Sequence, residues 1–373
     1  MPLYAVTSDI HLAHLKTPTE HIIDSFKNTI LTEQNKSLDI LFISGDLFDR
    51  LIDLNTKEIH PIIEFFNYLL TYCTNNDILL RVLNGTPSHD WGQSQLLVKL
   101  NDIRTNKCNL RYHKQLDIEY IESLQQHVLY IPDEWSNSHE EIEKQVQAKL
   151  IEHSISQVDI AILHGQFGYQ VAGKPFKGLF YQEDYFLSLV RGFIHIGHYH
   201  VYSHHDRIIA NGSLERLAHG EEAPKGYVLV NNDRFTFIEN TNAYTYKTIN
   251  VTPSVTIDKL DKLIHKYPPQ SHIRLLLSQD HPFNLTFSEL KLRYYDYNLK
   301  KINKDRVSEK ALDTYILSDT ELEFSNKFVM EGNIHSLLID TITSKHSLDS
   351  VEMSKLLSYI EVFKETVNEP SIS

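Results

Sequence analysis

Seven residues of this chain have the types and spacing to do chemistry together: Asp9, His11, Asp46, His89, His164, His198 and His200. They fall in five short segments: SDIHL (8–12), GDLFDR (45–50), GTPSHDW (85–91), LHGQ (163–166) and GHYH (197–200). Carboxylates and imidazoles suit Mn²⁺, Zn²⁺ or Fe²⁺, and a set without thiolates argues against a structural zinc site. Two such ions roughly 3.5–4 Å apart can clamp both the attacking and the leaving oxygen of a phosphoester and can lower the pKa of a bound water. A carboxylate such as Asp46 can bridge two ions, which a neutral imidazole cannot. The segments are therefore read as a two-metal site for cleaving phosphoesters.

Positioning them requires elements that converge. LYAVTSD (3–9), DILFISGD (39–46), DILLRVLNG (77–85), VDIAILHG (158–165) and GFIHIGH (192–198) are short apolar runs, several rich in Ile and Val. They predict buried strands of a layered α/β domain. Each candidate ligand stands at or just past the C-terminal end of its run. Open α/β sheets bind ligands outside those ends, so residues distant in sequence are expected at one edge. Helical patterns over 19–35, 57–73, 92–103 and 140–153 separate the strands. After GHYH, the segments RIIANGS, KGYVLVNND and RFTFIEN predict antiparallel strands closing the same domain, with NNDR (231–234) as a turn.

The pattern changes near residue 245. YKTINV (246–251) predicts a strand, TIDKLDKLIHKYP (256–268) a helix and SHIRLLLS (271–278) a strand. KLRYYDYNLKKINKDR (291–306) mixes basic and aromatic residues, which suits phosphate contact with base stacking or, equally, a solvated edge strand. From about 326 the pattern is helical. Met353, Leu356, Leu357, Ile360 and Phe363 share one face of a helix over 350–367.

In order and spacing, D-x-H, GD-x-x-D, G…HD, H-G and G-H-x-H resemble the calcineurin-like metallophosphoesterase superfamily. The SbcD-type DNA exonuclease branch is the most similar, and a phage-type member is suggested by the GTPSHD segment and the modest length. The motifs cover roughly residues 1–240. The resemblance implies a four-layer α/β/β/α sandwich with a smaller α+β capping domain and a C-terminal helical tail. The implied domains are 1–244 for the nuclease, 245–325 for the DNA cap, and 326–373 for a segment that docks on a partner. Asp9, His11, Asp46 and His200 would hold one metal, and Asp46, His164 and His198 the other. His89 would be the catalytic histidine, with Asp49 and Asp90 orienting imidazoles. The family carries Asn before the catalytic His, where this chain carries Ser88. Ser88 is accordingly assigned to the second metal, with Thr86 or a backbone carbonyl as alternatives. In NGSLER (211–216), Ser213 and Arg216 are candidate phosphate contacts.

The resemblance thus implies an Mn²⁺-dependent DNA exonuclease or endonuclease with two divalent ions. It implies in-line attack on phosphorus, an SbcC-type coiled-coil ATPase partner, and a homodimer formed through helices such as 57–73 and 92–103. DNA end processing, repair or recombination is the implied setting. Two other readings stand beside it: a phosphatase or phosphodiesterase acting on a small or protein substrate, and a catalytically weak DNA-binding scaffold.

Bulk properties set limits on these readings. The chain has 373 residues, 41% of them hydrophobic, enough for two domains with a large core. No run of about 18 apolar residues predicts a membrane span, and the start lacks a secretory n-region. Two cysteines, Cys73 and Cys108, suit a reducing compartment. A cytoplasmic location is expected (the host cytoplasm for a phage protein). The net charge of −13 disfavours casual nucleic-acid binding, although bound divalent ions offset it locally. GYQVAGKP (168–175) spells a P-loop-like G-x-x-x-x-G-K, but Pro175 replaces the Mg²⁺-binding hydroxyl, so nucleotide binding there is rejected. His14, His21, His60, His113, His204, His205, His219 and His265 lack strand-end placement and are read as surface or satisfied core histidines.

Overall fold

The structure is a computed structural model that describes residues 2–53, 55–133, 138–171 and 180–304. Its strands in chain order are β1 (Leu3–Thr7), β2 (Ile40–Ser44), β3 (Leu79–Leu83), β4 (Leu110–His113), β5 (Asp117–Ile121), β6 (Gln126–Ile131), β7 (Ile160–His164) and β8 (Ile194–Gly197). They continue as β9 (Ser203–His205), β10 (Ile208–Ala210), β11 (Gly226–Asn231), β12 (Arg234–Glu239), β13 (Tyr246–Asn250), β14 (His272–Leu277) and β15 (Asn298–Asn303). The helices are α1 (Thr19–Thr29), α2 (Ile59–Asn75), α3 (Pro87–Asp90), α4 (Gln95–Asp102), α5 (His139–Glu152), α6 (Gly168–Val171), α7 (Glu183–Leu189), α8 (Ile257–Ile264) and α9 (Phe287–Arg293).

Two six-stranded mixed sheets, flanked by helices, form this α/β fold. One has the order β12-β11-β1-β2-β3-β4, the other β5-β6-β7-β8-β10-β9. Strands β1 to β4 run parallel in the first; β6, β7, β8 and β10 run parallel in the second. Period-two alternation explains their layering. Ile40 and Phe42 of β2 point into a core shared with Val128, Tyr130, Ile160 and Ile162 of the other sheet. Their neighbours Leu41 and Ile43 point the opposite way, into a core with Ile22, Phe26, Phe65 and Leu69 of α1 and α2. On the far side, Leu129, Ala161, Leu163 and Ile196 pack with Ile142, Val146 and Phe186 of α5 and α7. Strands buried on both faces need apolar residues at every position, which is why these runs are continuous rather than alternating.

Residues 246–303 build a three-stranded parallel sheet, β13-β14-β15, with α8 and α9 in its connections. It has its own core of Ile249, Leu260, Ile264, Ile273, Leu275, Leu290, Tyr294 and Leu299. Thr248 N donates to Glu222 Oε1 at 2.9 Å, and Lys247 pairs with the same carboxylate, tying this sheet to the segment after β10.

Several expectations change. The strands after GHYH do not form one antiparallel run. β10 joins the second sheet parallel to β8, whereas β11 and β12 close the first sheet antiparallel to β1. β4, β5 and β6 carry no strong apolar signal, because β4 is a half-exposed edge and β5–β6 a hairpin with polar positions. The helix over 19–35 ends at Thr29 and gives way to a 3₁₀ turn at Glu33–Ser37. There the Asn35 amide caps Ile30 O at 2.8 Å and bonds Tyr227 Oη at 2.8 Å. The helix over 92–103 starts only at Gln95, after left-handed Trp91 and Gly92 break it from α3. In 291–306, Tyr294 is buried and Arg293 pairs with Asp261, while Tyr295 and Lys300 stay exposed. The tail from 326, with its amphipathic face at 353–363, lies outside the described residues, as does the second half of GYQVAGKP, 172–175. No helix among the described residues is long and apolar enough to cross a membrane.

Candidate metal centre

The C-terminal ends of β1, β2, β3, β7 and β8 meet at one place. Asp9 follows β1, Asp46 follows β2, Gly85 to His89 follow β3, His164 ends β7, and His198 and His200 follow β8. The backbone is strained there. Asp9, His11, Asp46 and His198 all take positive φ, at 51°, 53°, 49° and 94°, a region that costs a non-glycine residue of order 1–3 kcal/mol. Such strain persists only where surrounding contacts impose it. Gly85 is needed for one of them: a Cβ there would lie 2.1 Å from Asp46 N. At Gly45 a Cβ would strike the His164 ring at 2.1 Å.

Three groups of ligand-type atoms result among the described residues. Asp9, His11 and His200 form the first, Asp46, His164 and His198 the second, and His11, Asp49 and His89 a third that overlaps the first at His11. Asp46 faces the first two, with Oδ2 4.0 Å from His11 Nε2 and Oδ1 3.3 Å from His164 Nε2. His11 Nε2 and His200 Nε2 lie 3.1 Å apart. Asp9 accepts His198 N–H on both oxygens, at 2.9 and 3.0 Å, which joins the two groups.

The imidazole partners fix which nitrogen is free. A carbonyl or carboxylate can only accept, so a ring nitrogen facing one carries the hydrogen. His164 Nδ1 donates to Ser44 O at 2.8 Å, His200 Nδ1 to Glu221 Oε1 at 2.9 Å, and His11 Nδ1 faces Asp49 Oδ1 at 3.2 Å. All three therefore turn Nε2 into the centre. Two Nε2 atoms 3.1 Å apart cannot both present lone pairs to each other unless a proton or a metal ion lies between them. The residues thus fit a pair of divalent ions, and they do so through donors already held in place.

Electrostatics carry the same message. Burial alone would depress His11, but the Asp49 hydrogen bond and the charges of Asp46, Asp49 and Asp9 raise its pKa to about 9. Burial likewise opposes His164, yet Asp46 raises it to about 10. Burial would raise Asp46, but the His164, His89 and His11 imidazoles hold it well below the usual carboxylate range. Without metal, then, protons supply the positive charge that the carboxylates demand.

His89 stands at the edge of the first group, its ring 5.0 Å from that of His11. Its Nδ1 donates to Asp49 O at 2.8 Å, which puts the lone pair of the neutral ring on Nε2. Burial lowers its pKa, with Asp46 opposing.

Asp49, expected to orient an imidazole, faces the His11 ring. Asp90 is buried beneath the loop and accepts Phe48 N at 3.0 Å and Gly85 N at 2.7 Å, pinning the GD and GTPSHD turns together. Burial, aided by the Asp46 charge, raises its pKa to about 7. The Oγ of Ser88, the hydroxyl expected at the second metal, is buried without a hydrogen-bond partner and so bonds none of Asp46, His164 and His198. The hydroxyl beside the second group is that of Thr86, 3.3 Å from Asp46 Oδ2, 3.4 Å from His164 Nε2 and 3.3 Å from His198 Nδ1.

Ser213 and Arg216 are committed elsewhere and do not offer themselves to phosphate. Ser213 is fully buried, donates to Glu215 O at 2.9 Å and accepts from Lys225 Nζ at 2.8 Å. The Arg216 guanidinium bonds Ala223 O and Tyr244 O, at 3.1 and 3.2 Å. Two residues of the site were missed from sequence. Glu221 orients His200 and is itself anchored by buried Lys225 at 3.0 Å, which also donates to His200 O. Their only sequence signal is an acid and a base four apart after GHYH. Of the histidines set aside, His21 bonds Glu215 at 2.8 Å and His113 stacks on Tyr130.

No family model matches the chain, and no curated protein matches it. Among solved structures that match, one crystal structure is 12% identical and covers 65% of this chain and 100% of its own, with a TM-score of 0.38. So distant a likeness carries no functional argument.

Proposed function

We propose that this chain is a DNA nuclease of the two-metal phosphodiesterase type, built as a four-layer α/β/β/α sandwich with a capping sheet over 246–303. The observation that carries the reading is the pair of ligand groups sharing Asp46, with Nε2 of His11, His164 and His200 all turned inward by fixed partners on Nδ1. Asp9, His11, Asp46 and His200 would hold one ion, and Asp46, His164 and His198 the other. Bound there, the two ions would supply Lewis acidity and an activated water.

The chain's own residues do the rest. Asp46 holds the two sites together. Asp49 and Glu221 keep His11 and His200 in one tautomer. The Asp49 carbonyl fixes the His89 tautomer, so that Nε2 would hold or give a proton at the phosphate, next to the leaving oxygen. Mn²⁺ is the proposed ion, one of those that mixed carboxylate and imidazole donors suit. Exposed Tyr295 and Lys300 on the capping sheet suit contact with DNA. An SbcC-type ATPase partner and a homodimer complete the proposal.

Single-turnover cleavage of end-labelled linear duplex DNA, with DNA affinity measured in parallel, tests the role of His89. His89→Ala should lose chemistry by roughly 10²–10⁴-fold, the usual contribution of a general acid, with DNA affinity little changed. Equal losses in both would remove His89 from the reaction. Hydrolysis of a small phosphodiester with none of DNA would move the substrate to the small-molecule class.

A further inference from the structure

We infer that Thr86 is a ligand of the second metal site, its Oγ1 completing the donor set of Asp46, His164 and His198. The inference rests on the two-metal reading above.

The Thr86 side chain is buried, and its hydroxyl lies 3.3, 3.4 and 3.3 Å from Asp46 Oδ2, His164 Nε2 and His198 Nδ1. A hydroxyl has one proton, so it can donate to only one of the three. All three distances are also longer than the usual 2.5–3.0 Å between two oxygens or 2.7–3.2 Å between nitrogen and oxygen in a hydrogen bond. They are instead the separation expected between two ligands of one ion: donors about 2.1 Å from a tetrahedral centre stand about 3.4 Å from each other. Threonine hydroxyls are established ligands of hard divalent cations in phosphate-handling sites.

The backbone holds the hydroxyl in place. Thr86 N donates to Asp46 Oδ1 at 2.6 Å, so the same carboxylate fixes both the residue and the site. Pro87 restricts the residue before it to extended backbone, and Thr86 is found at φ −57°, ψ 127°. Gly85 allows the chain to pass within contact of Asp46.

The test is Mn²⁺ titration of the metal-free full-length chain by calorimetry, with electron paramagnetic resonance to detect an exchange-coupled pair of ions. Wild type and Thr86→Ser should bind two ions and show the coupled signal. Thr86→Val, nearly isosteric, should bind one ion normally, lose at least about tenfold in affinity for the other and lose the coupled signal. Melting curves without metal separate this from misfolding, since Thr86→Ser controls for shape. Thr86→Val binding two ions within twofold of wild type would overturn the inference, as would a wild-type chain binding fewer than two. A wild type that binds two ions yet leaves DNA intact would defeat the nuclease assignment and leave Thr86 standing.

Discussion

The two halves of the metal centre are built differently. In the first group, each imidazole is backed by a side-chain carboxylate, Asp49 behind His11 and Glu221 behind His200. In the second, His164 is backed by a main-chain carbonyl, Ser44 O. A carboxylate behind an imidazole raises its basicity as a ligand more than a carbonyl does. The first group should therefore bind its ion more tightly, and the second should fill later. On the proposed two-metal reading one ion would be resident and the other exchangeable, and activity would follow metal supply.

The largest effect that probes this difference is loss of Asp46, whose two carboxylate oxygens face the two groups. Asp46→Asn should weaken both sites and lower cleavage by at least about 10²–10³-fold, as for loss of a group that stabilises transition-state charge. If one site survives unchanged, Asp46 does not bridge.

Next is Glu221→Gln. It removes the charge behind His200 and should cost the first site about 10–100-fold in Mn²⁺ affinity, with the second site little affected. It also leaves Lys225 buried without its counter-charge, so denaturant unfolding should show a loss of about 3–5 kcal/mol. Equal weakening of both sites would erase the distinction between them.

The pH dependence is smaller and has a defined sign. In the metal-free chain His11 and His164 rise from 6.5 to about 9 and about 10. Raised basic groups stabilise the fold fully below their ordinary pKa, and the contribution is lost as pH climbs through the raised values. The melting temperature without metal should thus fall between about pH 6.5 and pH 10, and Mn²⁺, which displaces those protons, should abolish the fall. A flat metal-free profile would contradict the assigned charges. The smallest effect is expected for Ser88→Ala, which should change either ion's affinity by less than about twofold in the same titration. A larger change would return Ser88 to the ligand set.

The candidate metal ligands were legible in sequence because each sits where a buried strand ends, and a continuous apolar run marks that strand. Asp9, His11, Asp46, His164, His198 and His200 all announce themselves this way. Glu221 and Lys225 did not. They act across a loop whose approach depends on how β10 and β11 part between the two sheets, and no local pattern encodes that. Ser88 and Thr86 differ by which hydroxyl a single proline turns inward, a matter of φ and ψ rather than composition. The half-exposed edge β4 and hairpin β5–β6 were silent because edge strands carry polar residues on the face that periodicity would need to read.

The most direct test of the account is cleavage of end-labelled duplex DNA by the metal-free full-length chain as Mn²⁺ is added stepwise. Two unequal sites predict almost no cleavage at one ion per chain and a rise to full activity as the second ion binds. Full activity with a single ion bound, or intact DNA with both sites filled, would contradict the two-metal nuclease.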